Sequence, residues 1–220
     1  MSEQEPLDNF EYEKPIQEKC GIIAMHLPSE TSCQLLALTL KAGGGVQHRG
    51  QQGVGLAMHT AEGVMSHKAN GLIKETFTSD VLEQFSKKNG SDWTLLHTMW
   101  GTHGGHGESN FQPCTSTSPD GTSWSVIHNG EFAAVERIRE KLNTLYPDDI
   151  SDTFLFTELL AQTQGDSLDE RIITTLSQVN GAFSMVIGVE NKLYLARDEF
   201  GIRPFVLGQI NDGYIAASET

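Results

Sequence analysis

The sequence predicts an α+β fold in which sheets are layered and helices lie outside them. Two patterns carry that expectation. Apolar runs of strand length occupy both ends of the chain, and capped segments of helical length fill its middle. The composition agrees. With 38% hydrophobic and 8% aromatic residues over 220 positions, one domain has enough apolar material for a sizeable core.

The elements follow in order. Residues 1–19 are charged, lack hydrophobic periodicity and are broken by Pro6 and Pro15. They read as a leader, a removable propeptide, ahead of a domain over 20–220. "CGIIAMHL" is a continuous apolar run, a buried strand. "SCQLLALTLKAGGG" sets Leu35, Leu36, Leu38 and Leu40 on a short helix expected to end at the glycines. "QHRGQQGVG" is a polar, glycine-rich loop, after which "VGLAMHT" and "GVMSHKANG" read as a strand and its hairpin partner. "TSDVLEQFSKK" is a helix capped by Thr78 or Ser79. "WTLLHTMWG" is a strand, and "SWSVIHNGEF" is another, expected to end at the turn dipeptide Asn129-Gly130. Three helices follow: "AAVERIREKLNTLY", "SDTFLFTELLAQTQ" with a Ser/Asp cap, and "SLDERIITTLSQV". The remainder alternates apolar runs with turn residues, as three or four strands in a meander.

The formal net charge of -14 argues against nucleic acid and against an anionic membrane surface, since both are polyanions. No run of about 18 apolar residues is present to span a bilayer. The acidic N-terminus has no basic n-region and no apolar h-region, so a cytoplasmic location is expected. Three scattered cysteines, Cys20, Cys33 and Cys114, do not make a disulfide framework and leave at least one free thiol.

Cys20 opens the first buried strand directly after the leader. A small core residue is one reading. The other is a nucleophile that becomes N-terminal once the leader is removed. Its own α-amine, with a reference pKa of about 7.7–8.0, would then serve as the base.

The segments "EKCGIIAM", "QHRGQQGVGLA", "HNGE", "SDTF", "GAFSMVI" and "ARDEFGIRPFVLG" with "GYIAASET" occur in that order from about Glu18 to Thr220. Together they resemble the glutaminase domain of the glutamine phosphoribosylpyrophosphate amidotransferases, a branch of the class II amidotransferases. The resemblance implies a four-layer αββα sandwich of the N-terminal-nucleophile hydrolase type. It implies hydrolysis of glutamine to glutamate and ammonia with no cofactor in this domain. It also implies a phosphoribosyltransferase domain or subunit as ammonia acceptor and a homo-oligomer in the full enzyme. Because "ASET" falls inside a motif where the family's domain continues, the chain is expected to be truncated at that end.

The resemblance assigns roles residue by residue. Cys20 matches the nucleophile that forms a glutamyl thioester. Asn129 and Gly130 match the oxyanion hole; on residue type alone Asn-Gly reads first as a plain hairpin turn. Asp152 matches the carboxylate that binds the glutamine α-ammonium, and otherwise reads as a helix cap. Arg49 matches an arginine of the glutamine site, and otherwise reads as a solvated charge. Arg197, Asp198 and Arg203 match a structural motif without a catalytic part.

One stretch departs from the pattern. "GTHGGHG" places Gly104 where the family carries the arginine that grips the substrate α-carboxylate. His103 or His106 as imidazolium would be a weaker, pH-dependent replacement. The same two histidines with Cys114 also prompt a metal reading, but zinc needs about three or four ordered ligands and no CxxC or HExxH accompanies them. A catalytically impaired relative with a binding or regulatory role, or an amidotransferase for another ammonia acceptor, remains the alternative.

Overall fold

The computed structural model describes residues 20–28, 30–100 and 110–220. One antiparallel sheet contains β1 (Cys20–His26), β2 (Gly53–Thr60), β3 (Gly63–Asn70), β4 (Trp93–Met99), β9 (Val206–Ile210) and β10 (Gly213–Ala217). Its strand order is β3-β2-β4-β1-β10-β9. The other contains β5 (Cys114–Thr117), β6 (Ser123–Ala133), β7 (Asn180–Val189) and β8 (Lys192–Arg197), paired in that order.

Alternation along each strand builds the layers. On β1, Ile22 and Ala24 point between the sheets, while Ile23 and Met25 point outward. On β6, Ile127 points between the sheets, while Trp124 and Val126 point outward. Both outer faces are apolar, so each needs a helical cover. The first sheet is covered by α1 (Ser32–Val46), α2 (Ile73–Thr76) and α3 (Ser79–Ser86) through Leu35, Leu36, Ile73 and Phe85. The second is covered by α4 (Val135–Arg139), α5 (Asp152–Gln162) and α6 (Leu168–Leu176) through Ile138, Leu155, Phe156 and Ile172. The result is the expected αββα sandwich. Its middle layer is thin and specific: Trp93 fills it, donates its indole N–H to the Glu190 carbonyl at 2.8 Å, and occupies the space that Gly188 leaves open opposite. Burying a side chain of that size contributes roughly 2–3 kcal/mol.

Several local expectations need correction. The first helix does not stop at its glycines; α1 runs on to Val46. A Cβ on Gly43 would run into Leu96 and Ile73, so that glycine serves close packing against β4 and α2. The Thr31 capping box with Gln34 starts the helix, and a 3-10 turn over Gln47–Arg49 ends it. Strand β6 passes straight through Asn129-Gly130, because both residues are paired to β7. The helix expected from Ala133 ends at Arg139, whose guanidinium draws the following chain inward by bonding the carbonyls of Tyr146, Pro147 and Asp148. The C-terminal strands are two hairpins in different sheets, not one meander. Strand β5 and the short α2 carry no clear periodicity and were not foreseen.

Candidate active site

The leader residues 1–19 and the positions His103, Gly104 and His106 lie outside the described residues. The other expected site residues converge on one end of the middle layer.

Cys20 is the first residue of β1, opposite Met99 of β4. It shares the inward-facing parity of Ile22 and Ala24, so the half-buried thiol enters the layer between the sheets. Burial raises its pKa, with Asp152 adding to the rise. A bond from the Trp100 backbone and the positive charges of Arg49 and Arg203 oppose it. The charges of Arg49, Arg203 and Asp152 are therefore all felt at the thiol.

Asn129 has the parity of Ile127 and enters the same layer from β6. It is 2% exposed, yet its side-chain Nδ2 has no hydrogen-bond partner among the described residues. A buried amide donor without an acceptor costs free energy unless a ligand completes it. Gly130 follows with φ 150°, and a Cβ there would fall on the Ala182 carbonyl and the Phe183 backbone. Only glycine fits this strand position.

Asp152 begins α5, but Ser151 is the cap: its hydroxyl accepts from the Phe154 N–H at 3.2 Å. The Asp152 carboxylate accepts instead from the Phe132 N–H at 3.0 Å and the Thr153 N–H at 2.7 Å. It is thus bolted to β6 just beyond Gly130. Beside it, His128 is buried, stacks on Phe132 at 4.6 Å, and places Nδ1 3.0 Å from the Thr153 hydroxyl. Gln112 ties the group together by accepting from the His128 N–H at 2.5 Å and donating to the Thr153 hydroxyl at 3.1 Å. Burial lowers the His128 pKa; Asp152 pulls it up and Arg203 pushes it down. The imidazole is a neutral packing and hydrogen-bonding group here.

Arg49 is not a solvated charge. It is 5% exposed; its Nε donates to the Cys20 carbonyl at 2.8 Å, and its NH1 meets Glu219 at 2.6 Å. Sequence reasoning missed Glu219, His128, Thr153 and Gln112. Only the strand register reveals them, since they act through pairs 16 to 170 residues apart. It also gave Arg203 a structural part alone. The loop is indeed self-capped, with Asp198 accepting from the Phe183 and Phe200 N–H groups and the Arg203 carbonyl accepting from Ser184 and Arg197. The Arg203 charge nevertheless falls on both Cys20 and His128, and its Nε is buried with no hydrogen-bond partner among the described residues.

No group of three or more His, Cys, Asp or Glu side chains suited to a metal occurs among the described residues. Among them, too, no helix is long and apolar enough to cross a membrane. Cys114 is buried, and burial pushes its thiol up to about 12. Cys33 lies exposed on α1. Cys114 faces the outer side of its sheet with Val126, near Ser151 and Asp152, while Cys33 lies on the opposite helical layer.

A family model described as "Glutamine amidotransferase domain" matches residues 104–220. The chain is 33% identical over 215 residues to amidophosphoribosyltransferase 3, chloroplastic, of Arabidopsis thaliana, covering 96% of this chain and 39% of that protein. It is 30% identical over 210 residues to the amidophosphoribosyltransferase of Bacillus subtilis, covering 94% and 42%. Among solved structures, one titled as the allosteric regulatory enzyme of purine biosynthesis superposes with a TM-score of 0.78 at 28% identity, over 90% of this chain and 42% of that one. The glutamine phosphoribosylpyrophosphate amidotransferase from B. subtilis, complexed with ADP and GMP, superposes with a TM-score of 0.76 at 27% identity, again over 90% and 42%. The chain thus spans about two fifths of the length of the relatives it matches.

Proposed function

This chain belongs to the glutamine amidotransferase domain family, in its class II branch, and on that premise we propose that it hydrolyses glutamine through a Cys20 thioester. The observation that carries the proposal is the pairing, in one inter-sheet layer, of a strand-terminal thiol with a buried amide donor that has no acceptor among the described residues. An oxyanion hole in the free state has that character: its donors are fixed in advance and left unpaired.

The chemistry follows from the residues. Once Cys20 is N-terminal, its α-amine takes the thiol proton, directly or through one water. The thiolate attacks the side-chain amide carbon of glutamine. The carbonyl oxygen becomes an oxyanion that accepts from Asn129 Nδ2 and the Gly130 N–H. Collapse of the tetrahedral intermediate breaks the C–N bond, and the leaving nitrogen takes the stored proton and departs as ammonia. Water, deprotonated by the same amine, then hydrolyses the thioester to glutamate and returns the thiol. Asp152 holds the substrate α-ammonium.

The ammonia acceptor is a phosphoribosyltransferase domain or subunit, and the product phosphoribosylamine enters purine biosynthesis. The names of the relatives and their greater length support this. Three free cysteines suit a reducing cytoplasm. The test is ammonia release from glutamine by chain that starts at Cys20, followed by acid-quench trapping of a glutamyl adduct on that residue. Processed chain that neither releases ammonia nor accumulates the adduct would sink the proposal.

A further inference from the structure

The outer face of β1, behind the thiol, carries an ion pair that the reaction scheme does not use, between a buried arginine and a half-exposed glutamate. Ser218 follows β10, is 1% exposed, and closes the strand pair: its N–H donates to the Ile22 carbonyl at 3.1 Å, and its hydroxyl accepts from the Ile22 N–H at 3.0 Å. Continuing that register from Ile23 opposite Ala217 sets Glu219 opposite Gly21. Gly21 is closely surrounded by Val46 and Thr98, so the end of α1 sits directly on this turn of β1. Arg49, just beyond α1, therefore reaches both the Cys20 carbonyl and the Glu219 carboxylate. His48 places Nε2 3.2 Å from the same carboxylate.

We propose that Glu219 is a positioning residue for the nucleophile, holding the Arg49 guanidinium so that it fixes the Cys20 carbonyl. The proposal rests on the reading of Cys20 as nucleophile. An N-terminal residue has no preceding peptide plane to restrain it. Its amine and its thiol swing together about the bond between Cα and the carbonyl carbon, so the carbonyl is their pivot. Arg49 Nε holds that pivot, and a buried guanidinium stays in place only if a countercharge satisfies it. Glu219 supplies the countercharge from the strand that already pins Ile22. A misplaced pivot moves both base and nucleophile away from the oxyanion hole, and errors of about 1 Å are worth roughly a hundredfold in rate.

The test uses the whole processed chain with Glu219→Gln, Arg49→Gln and the double variant. Three quantities are read: the pH dependence of Cys20 alkylation by iodoacetamide, followed by mass, and kcat and KM for glutamine. The thiol faces Arg49, Arg203 and Asp152. In Glu219→Gln the amide still accepts from Arg49 but no longer offsets its charge. The alkylation midpoint should move to lower pH, and kcat should fall about ten- to a hundredfold, with KM within about twofold. In the Arg49→Gln background, adding Glu219→Gln should lower kcat no further, because the positioning runs through Arg49, while the midpoint still moves to lower pH with the lost carboxylate charge. Wild-type alkylation and kcat in Glu219→Gln would overturn the proposal, as would an undiminished loss of kcat in the Arg49→Gln background. If Glu219→Gln does not fold, Glu219→Asp keeps the charge and withdraws it by one methylene. A lowered kcat with an unmoved alkylation midpoint is then expected, and a wild-type kcat overturns the proposal. Alkylation needs no glutamine. A wild-type chain that alkylates normally but releases no ammonia therefore counts against the nucleophile reading and leaves the alkylation comparison decisive for Glu219.

Discussion

At the scale of single residues, the site divides into groups whose chemistry is exposed and groups that hold them. Asn129 belongs to the first kind. Its Nδ2 has no partner among the described residues, so if it is an oxyanion donor as proposed, Asn129→Ala removes that donor cleanly, and kcat for glutamine should fall about 100- to 1000-fold with little change in KM. A loss carried mainly by KM would mean that the amide binds substrate instead. The other two cysteines should matter little. Cys114→Ala and Cys33→Ala should keep most of the activity, because the first thiol is buried and held near 12 while the second lies on the far side of a helix layer. Gly130 belongs to both: its N–H is the second oxyanion donor of the scheme, and its backbone conformation holds the strand. Gly130→Ala brings a Cβ into the Ala182 carbonyl at a positive φ, so the variant should lose more than about 1 kcal/mol in urea unfolding; an unchanged midpoint would mean that β7 yields.

At the scale of elements, the middle layer explains both what the sequence showed and what it hid. Strands β1, β2, β4 and β6 were legible because continuous apolar runs leave no other use for Ile22 to Met25 or Val126 to Ile127. The strand position of Asn129-Gly130 was hidden, because the dipeptide marks a turn by local propensity and only pairing to β7 overrides it. The glycines of α1 misled in the same way, since close packing against Leu96 cannot be read from a helix-ending signal. Nor could the sequence disclose His97, which sits on the inner face of β4 opposite Ile22 and Gly55, 1% exposed, with neither ring nitrogen hydrogen-bonded among the described residues. Burial, aided by repulsion from His128 and Lys68 and opposed by the His128 backbone, pushes its pKa down to about 3. The unfolded chain, with an ordinary value of 6.5, binds the extra proton between those limits. Stability is therefore greatest above pH 6.5 and falls as pH drops toward 3. The loss by pH 5 should be about 2 kcal/mol from this residue alone, and His128 adds to it with the same sign. Urea unfolding at pH 7 and pH 5 should show the drop, and His97→Met should remove most of its own share. An equal drop in that variant would place the acid sensitivity elsewhere.

At the scale of the whole molecule, the two sheets bring the candidate residues to one end of the layer between them. The helix-covered first sheet carries Cys20 at the start of β1; the second carries Asn129 and Gly130, with Asp152 at the start of the helix above it. On the function proposed above, these are the nucleophile, the oxyanion donors and the group that binds the substrate ammonium. The αββα architecture was legible only through motif resemblance, because periodicity identifies strands but not which sheet each one joins. Sequence likeness to proteins more than twice as long also fits a domain whose ammonia is consumed by another. The scheme makes one demand on the whole chain. A Cys20 nitrogen locked in a peptide bond cannot act as a base, so chain that retains residues 1–19 should be nearly inert, and cleavage should switch activity on. The most direct test of this account is peptide mass mapping of active protein after inactivation by a diazoketone analogue of glutamine. The account predicts a single adduct, on a peptide that begins at Cys20, formed in step with the loss of ammonia release. Full activity in chain that still carries residues 1–19, or an adduct on Cys33 or Cys114 with Cys20 unmodified, would contradict it.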